Sequence, residues 1–157
     1  MTTASFPKAL ALLVALLAFP LHSLADVVMD WNEVAIKAVN TARQSPTMGV
    51  RSMAVVHAAM YDAMATVQPR YRAFRFDGAA PPGASADVAA SVAAHTALLK
   101  LFPEQRAAFD EALAASLSGA PQGAARDGGA SVGKAVAESL LAWCADDRVG
   151  AATQYRP

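Results

Sequence analysis

Apolar positions recur three and four residues apart through most of this chain, the period of helices that bury one face. The pattern predicts five helices after an apolar leader. In the first, Asp30 stands as the cap, Glu33 completes a capping box, and the helix runs to about Gln44. Ser45-Pro46 reads as a turn, because a residue before proline is pushed out of the helical region. A second helix covers about Val50–Val67 and ends before Pro69. Ser85 can cap a third helix, which ends near Phe102. Pro103 is expected to open a fourth, since proline is tolerated at a first helical position, and Ser118-Gly119-Ala120-Pro121 closes it. The fifth covers about Gln122–Ala145.

Between helices two and three the period is lost. Arg70–Phe76 (RYRAFRF) holds the one stretch of strand-like alternation, and Asp77–Ala84 (DGAAPPGA) is a loop by composition. The expected architecture is therefore all-α, a bundle-like array of about five helices. It carries an irregular arm and a Pro/Gly loop between helices two and three.

Two stripes look core-facing. Val50, Met53, His57, Met60, Met64 and Val67 share a face of helix two. Val88, Val92, His95, Leu99 and Phe102 share a face of helix three. In helix five, Ala125, Gly129, Gly133 and Ala137 fall at intervals of four. Each glycine costs a helix roughly 1 kcal/mol against alanine. A groove that lets another helix come close would offset that cost, as small-residue stripes do in membranes.

The leader changes the picture of where the chain goes. Lys8 precedes Ala9–Phe19, Pro20 breaks the run, and Ser23 and Ala25 fit a signal peptidase site. Residues 1–25 are expected to be a signal peptide cut before Asp26, leaving residues 26–157 as one exported, periplasmic or secreted domain. The apolar run falls short of the roughly 20 residues a spanning helix needs, and no later stretch is apolar enough. The leader carries one of 13 basic residues and none of 13 acidic ones, so the remainder is close to neutral. That balance argues against nucleic acid as a partner, despite the Arg and aromatic interleaving of the arm. Cys144 is the single cysteine, which excludes an internal disulfide and a cysteine zinc site. It is expected to be buried.

The candidate chemistry is thin. His57 and His95 sit at the centres of their stripes. One reading brings them together as a two-histidine metal site or proton relay. The other makes each a core histidine held by a hydrogen bond, and it is the one expected here. Zinc catalysis usually takes three protein ligands, and no third is apparent. Tyr61 is four residues from His57 and can touch it. Asp62 lies roughly 140° around the helix from His57, so it is expected to face another element or solvent, and an arginine such as Arg51, Arg70 or Arg72 is a candidate partner. Asp127–Lys134 is glycine-rich but lacks the spacing of a phosphate loop, and residue 135 is alanine. No nucleophile elbow is present. Glu104, Asp110, Glu111 and Glu138 read as solvated helix faces.

Asp26-Val27-Val28-Met29-Asp30-Trp31-Asn32 resembles the mature start of bacterial vanadium-dependent haloperoxidase-like proteins, within the type-2 phosphatidic acid phosphatase superfamily. Arg51–Ala63 resembles that family's second helix. Pro69-Arg70-Tyr71, Ala80–Ala84, Leu101-Phe102-Pro103 and Ala145-Asp146-Asp147 follow in the same order. The resemblance implies a vanadate or phosphate site in a C-terminal half, built from a Lys…Arg-Pro segment, a Ser-Gly-His segment and an Arg…His segment. There, cationic donors neutralise an oxyanion. This chain has no Ser-Gly-His, and Arg156-Pro157 has Gly150 where the lysine would stand. Arg51 and His57 share the Arg-x5-His spacing, but within the helix that resembles the family's N-terminal part.

No catalytic, cofactor-binding or metal residue is therefore carried over, and His57 and His95 are the only metal candidates. The expectation is the N-terminal helical scaffold of an exported haloperoxidase-like or acid-phosphatase-like protein, inactive alone, with a C-terminal catalytic half or another helical partner. The alternative is a self-sufficient exported helical binding or scaffolding domain, using the groove between helices two and three.

Overall fold

The computed structural model describes residues 27–147. The expected signal peptide, its cleavage site and Arg156-Pro157 lie outside the described residues. Among the described residues five α-helices follow one another: α1 (Val27–Thr41), α2 (Pro46–Val67), α3 (Ala86–Leu101), α4 (Arg106–Ser118) and α5 (Ala124–Cys144). A single 3₁₀ turn, Pro103–Gln105, joins α3 to α4. Among the described residues there is no strand, and no helix is long and apolar enough to cross a membrane. The expected all-α array is what forms.

Helix starts are where the sequence reading needs correction. α1 begins upstream of Asp30, so Asp30 lies in its first turn and the capping box is not used there. A carboxylate in that turn still favours the helix, by about 0.3–1 kcal/mol through the helix dipole. α2 begins at Pro46, not near Val50, with Ser45 extended at its cap. Proline's missing N–H is no loss in a first turn, and its fixed φ suits the helix. The 3₁₀ turn takes the position expected for the start of the fourth helix. The Ser85 cap is as expected, its hydroxyl accepting from the Val88 N–H at 3.4 Å.

α3 is the hub and touches all four other helices. Only Asp87 and Lys100 of its sixteen residues are exposed, so it is apolar nearly all round. Its walls are mostly alanine: Ala89, Ala90, Ala93, Ala94 and Ala97 are fully buried. A methyl buries little, about 0.8 kcal/mol each. The larger payload comes from Trp31, Phe109, Met60 and Leu98, which wedge between the helices. Small walls let backbones approach. A Cβ on Gly129 would fall 2.5 Å from the Ser85 carbonyl oxygen, and one on Gly133 would overlap the Ala89 carbonyl oxygen. The glycine stripe of α5 is a close seat for α3.

The buried stripe of α2 is not the one its large apolar residues draw. Ser52, Val56, Ala59 and Ala63 are buried, and of the expected stripe only Met60 joins them; Val50 is 70% exposed and Met53, His57, Met64 and Val67 are half-buried. The two stripes lie about a quarter turn apart at 100° per residue. Close helix packing takes mainly the small side chains, and apart from Met60 the larger ones of the expected stripe are left on the flank.

Candidate functional site

That flank forms the floor of a cleft of about 470 Å³. α2 contributes His57, Met60, Tyr61, Met64 and Ala65, and the start of α1 contributes Val28. The outer wall is the segment after α2, with Gln68, Arg70 and Tyr71. The alternative reading had put a groove between helices two and three. Those helices pack directly on each other, and this cleft is walled instead by the start of α1 and the segment after α2.

The arm that walls the cleft is anchored by Asp62, which faces another element of the chain. Asp62 is fully buried. Its carboxylate accepts three consecutive backbone N–H groups, from Phe74 at 2.5 Å, Arg75 at 2.9 Å and Phe76 at 3.1 Å. The partner is therefore main chain and not Arg51, Arg70 or Arg72. Successive amides turned to one anion form a concave nest, which suits a carboxylate better than a straight strand does. The arm accordingly bends at Phe74 and Arg75 and does not run extended. From the residue before Asp62, the Tyr61 hydroxyl donates to the Arg72 carbonyl at 2.9 Å.

His57 and His95 are not brought together on a common ligand. His57 Nε2 donates to Asn32 Oδ1 of α1 at 3.0 Å. His95 Nε2 donates to Asp110 Oδ1 of α4 at 2.7 Å. The Trp31 ring stands edge-on to His95 at 6.4 Å. Among the described residues no group of three or more His, Cys, Asp or Glu could hold a metal ion. Each histidine is tied by one hydrogen bond across a helix pair. Asp110, expected only to face solvent, is a histidine partner. Trp31 Nε1 is buried with no hydrogen-bond partner among the described residues.

Arg51 and His57 also part company. Arg51 donates to Asp147 from Nε at 2.9 Å and from its terminal nitrogen at 2.5 Å. It also reaches the Cys144 carbonyl at 3.4 Å, capping the C-terminus of α5. Arg126 does the same for α4, donating to the carbonyls of Leu117, Ala120 and Pro121. A cation at a helix C-terminus is favourable against the dipole.

Cys144 is half-buried, not buried as expected. Burial pushes its thiol up, Arg51 opposes that, and Asp147 adds to it. It lines a shallow hollow of about 270 Å³ with Ala54, Phe74, Leu140 and Trp143. Phe74 and Trp143 stack edge to face at 5.9 Å, and the Arg75 guanidinium lies 5.5 Å from the Trp143 ring.

Asn32, Asp110 and the arm amides were illegible as partners because each is 12 or more residues from the group it serves. The signal for the cleft is the methionine stripe of α2, where Met60 is core as expected and Met64 is half-buried. Compared with family models, with curated proteins and with solved structures, the chain matches none.

Proposed function

We propose that this chain is the N-terminal helical scaffold of an exported protein similar to vanadium-dependent haloperoxidases or acid phosphatases. In this reading the oxyanion site is supplied by a C-terminal catalytic half, and the scaffold seats that half. Vanadate or phosphate belongs to the assembled protein and not to this chain.

The observation that carries the reading is the exposed aromatic pair on the arm and α5. Phe74 is 62% exposed and Trp143 is 49% exposed, yet the two rings stack on each other. Arg51, Arg75 and Asp147 edge the hollow beneath them. Trp, Phe and Arg around an apolar centre with a charged rim are the composition of a protein interface. The engagement of Arg51 and His57 with separate partners supports the same reading, since an oxyanion needs several donors converging on one point.

The test is activity and capture. The purified chain, given vanadate with peroxide and halide, or given a phosphate ester, is expected to show no turnover and no saturable vanadate binding. Turnover that survives purification and disappears in His57→Ala would refute the scaffold reading.

A further inference from the structure

We propose that the cleft along α2 is a binding site for a single-tailed amphiphile with a carboxylate head, of the fatty-acid kind. The proposal does not rest on the scaffold role. It rests on the shape and charge of the cleft itself.

At about 470 Å³ the cleft is the size of small-molecule sites, which run from about 300 to 1,000 Å³. Its floor is Met60, Met64, Ala65 and Val28. Methionine is flexible and polarizable, so it adapts to a tail without fixed shape. Among the described residues no carboxylate lines it, and Arg70 is its one permanently charged side chain. Arg70 is in no ion pair among the described residues. Two other polar lining groups already have partners: the Tyr61 hydroxyl on Arg72, and His57 Nε2 on Asn32.

An apolar trough with one uncommitted guanidinium complements a chain bearing one negative charge. The planar fork of arginine matches the two oxygens of a carboxylate. The Gln68 amide beside it offers further donors. A phosphate monoester carries more charge than this wall can match. The wall is already in place, because Asp62 holds residues 74–76 and Tyr61 holds residue 72. Binding therefore has little arm to order, which removes one of the usual entropy costs.

Calorimetric titration of the purified chain with sodium decanoate, below micelle formation, tests this. Saturable binding of one decanoate per chain is expected. Arg70→Gln, at an exposed position, should weaken it about three- to fivefold, the size of an exposed charge pair. Met64→Gln should weaken it further while the helical circular dichroism is unchanged. If Met64→Gln fails to fold, Arg70→Gln decides alone. The proposal is overturned by absent saturation, by an Arg70→Gln affinity equal to the parent, by decyltrimethylammonium binding as well as decanoate, or by decyl phosphate binding more tightly.

Discussion

Asp62 is the residue on which the irregular part of the chain depends. Its carboxylate is the acceptor for three arm amides in a site without solvent. Removing it leaves three donors to find new partners, and hydrogen bonds to a charged group contribute about 1.5–3 kcal/mol each at most. We expect Asp62→Ala to lower unfolding free energy by about 2–4 kcal/mol in urea. Amide exchange at residues 74–76 should quicken more than exchange in α3. An unchanged midpoint and unchanged exchange would show that the arm is held by something else. Cys144 carries a pH signature. Burial raises its thiol, with Arg51 opposing and Asp147 adding. A thiol whose folded pKa lies above its unfolded one stabilises the fold below the ordinary thiol range of about 8.5, and that contribution is lost as pH rises through the folded value. The pH midpoint of iodoacetamide alkylation should therefore lie higher in the native chain than in the same chain in urea. Equal midpoints would contradict the burial effect.

At the scale of elements, the α3–α5 pair shows how local propensity and tertiary packing can oppose each other. By propensity alone, Gly133→Ala should strengthen α5 by roughly 1 kcal/mol. Against α3 the new methyl would overlap the Ala89 carbonyl and lie 3.0 Å from the Ala93 nitrogen. Both are backbone atoms of a packed helix and cannot swing aside. Overpacking of this kind costs about 1–3 kcal/mol, so the net change should be destabilising. Gly119, after α4, has φ −94° and no atom within 4 Å of a built Cβ. Gly119→Ala should stabilise by about 0.4–1 kcal/mol. Thermal unfolding of the two variants should shift in opposite directions, and a shift in the same direction would mean α5 is not seated as described. The helix ends were less legible than the helices. Ser45-Pro46 is compatible both with a turn and with a cap followed by a first helical residue; the Gly49 N–H bonding to the Ser45 carbonyl at 2.8 Å marks the second.

Across the whole molecule, α3 lies at the centre because it has no polar face to keep in water. That much is visible in its alanine-rich stretch. The sequence likewise determined that the chain is helical, that Ser85 starts α3, that helix gives way between α2 and α3, and that α5 carries a small-residue face. These follow from neighbours a few residues apart, where backbone sterics, caps and period act. The tertiary structure alone decided which face of α2 is core: it centred the core on Val56, Ala59 and Ala63, kept Met60 from the larger stripe, and left Met53 and Met64 half-buried. It also decided that His57 meets Asn32, that His95 meets Asp110, and that Asp62 holds the arm. The reason is physical. Hydrophobic periodicity says that a face is buried but not what buries it, and close helix packing favours the small side chains that let backbones meet. A hydrogen bond between residues 15 or 25 apart depends on how whole helices stack, and no short-range pattern in the chain encodes that.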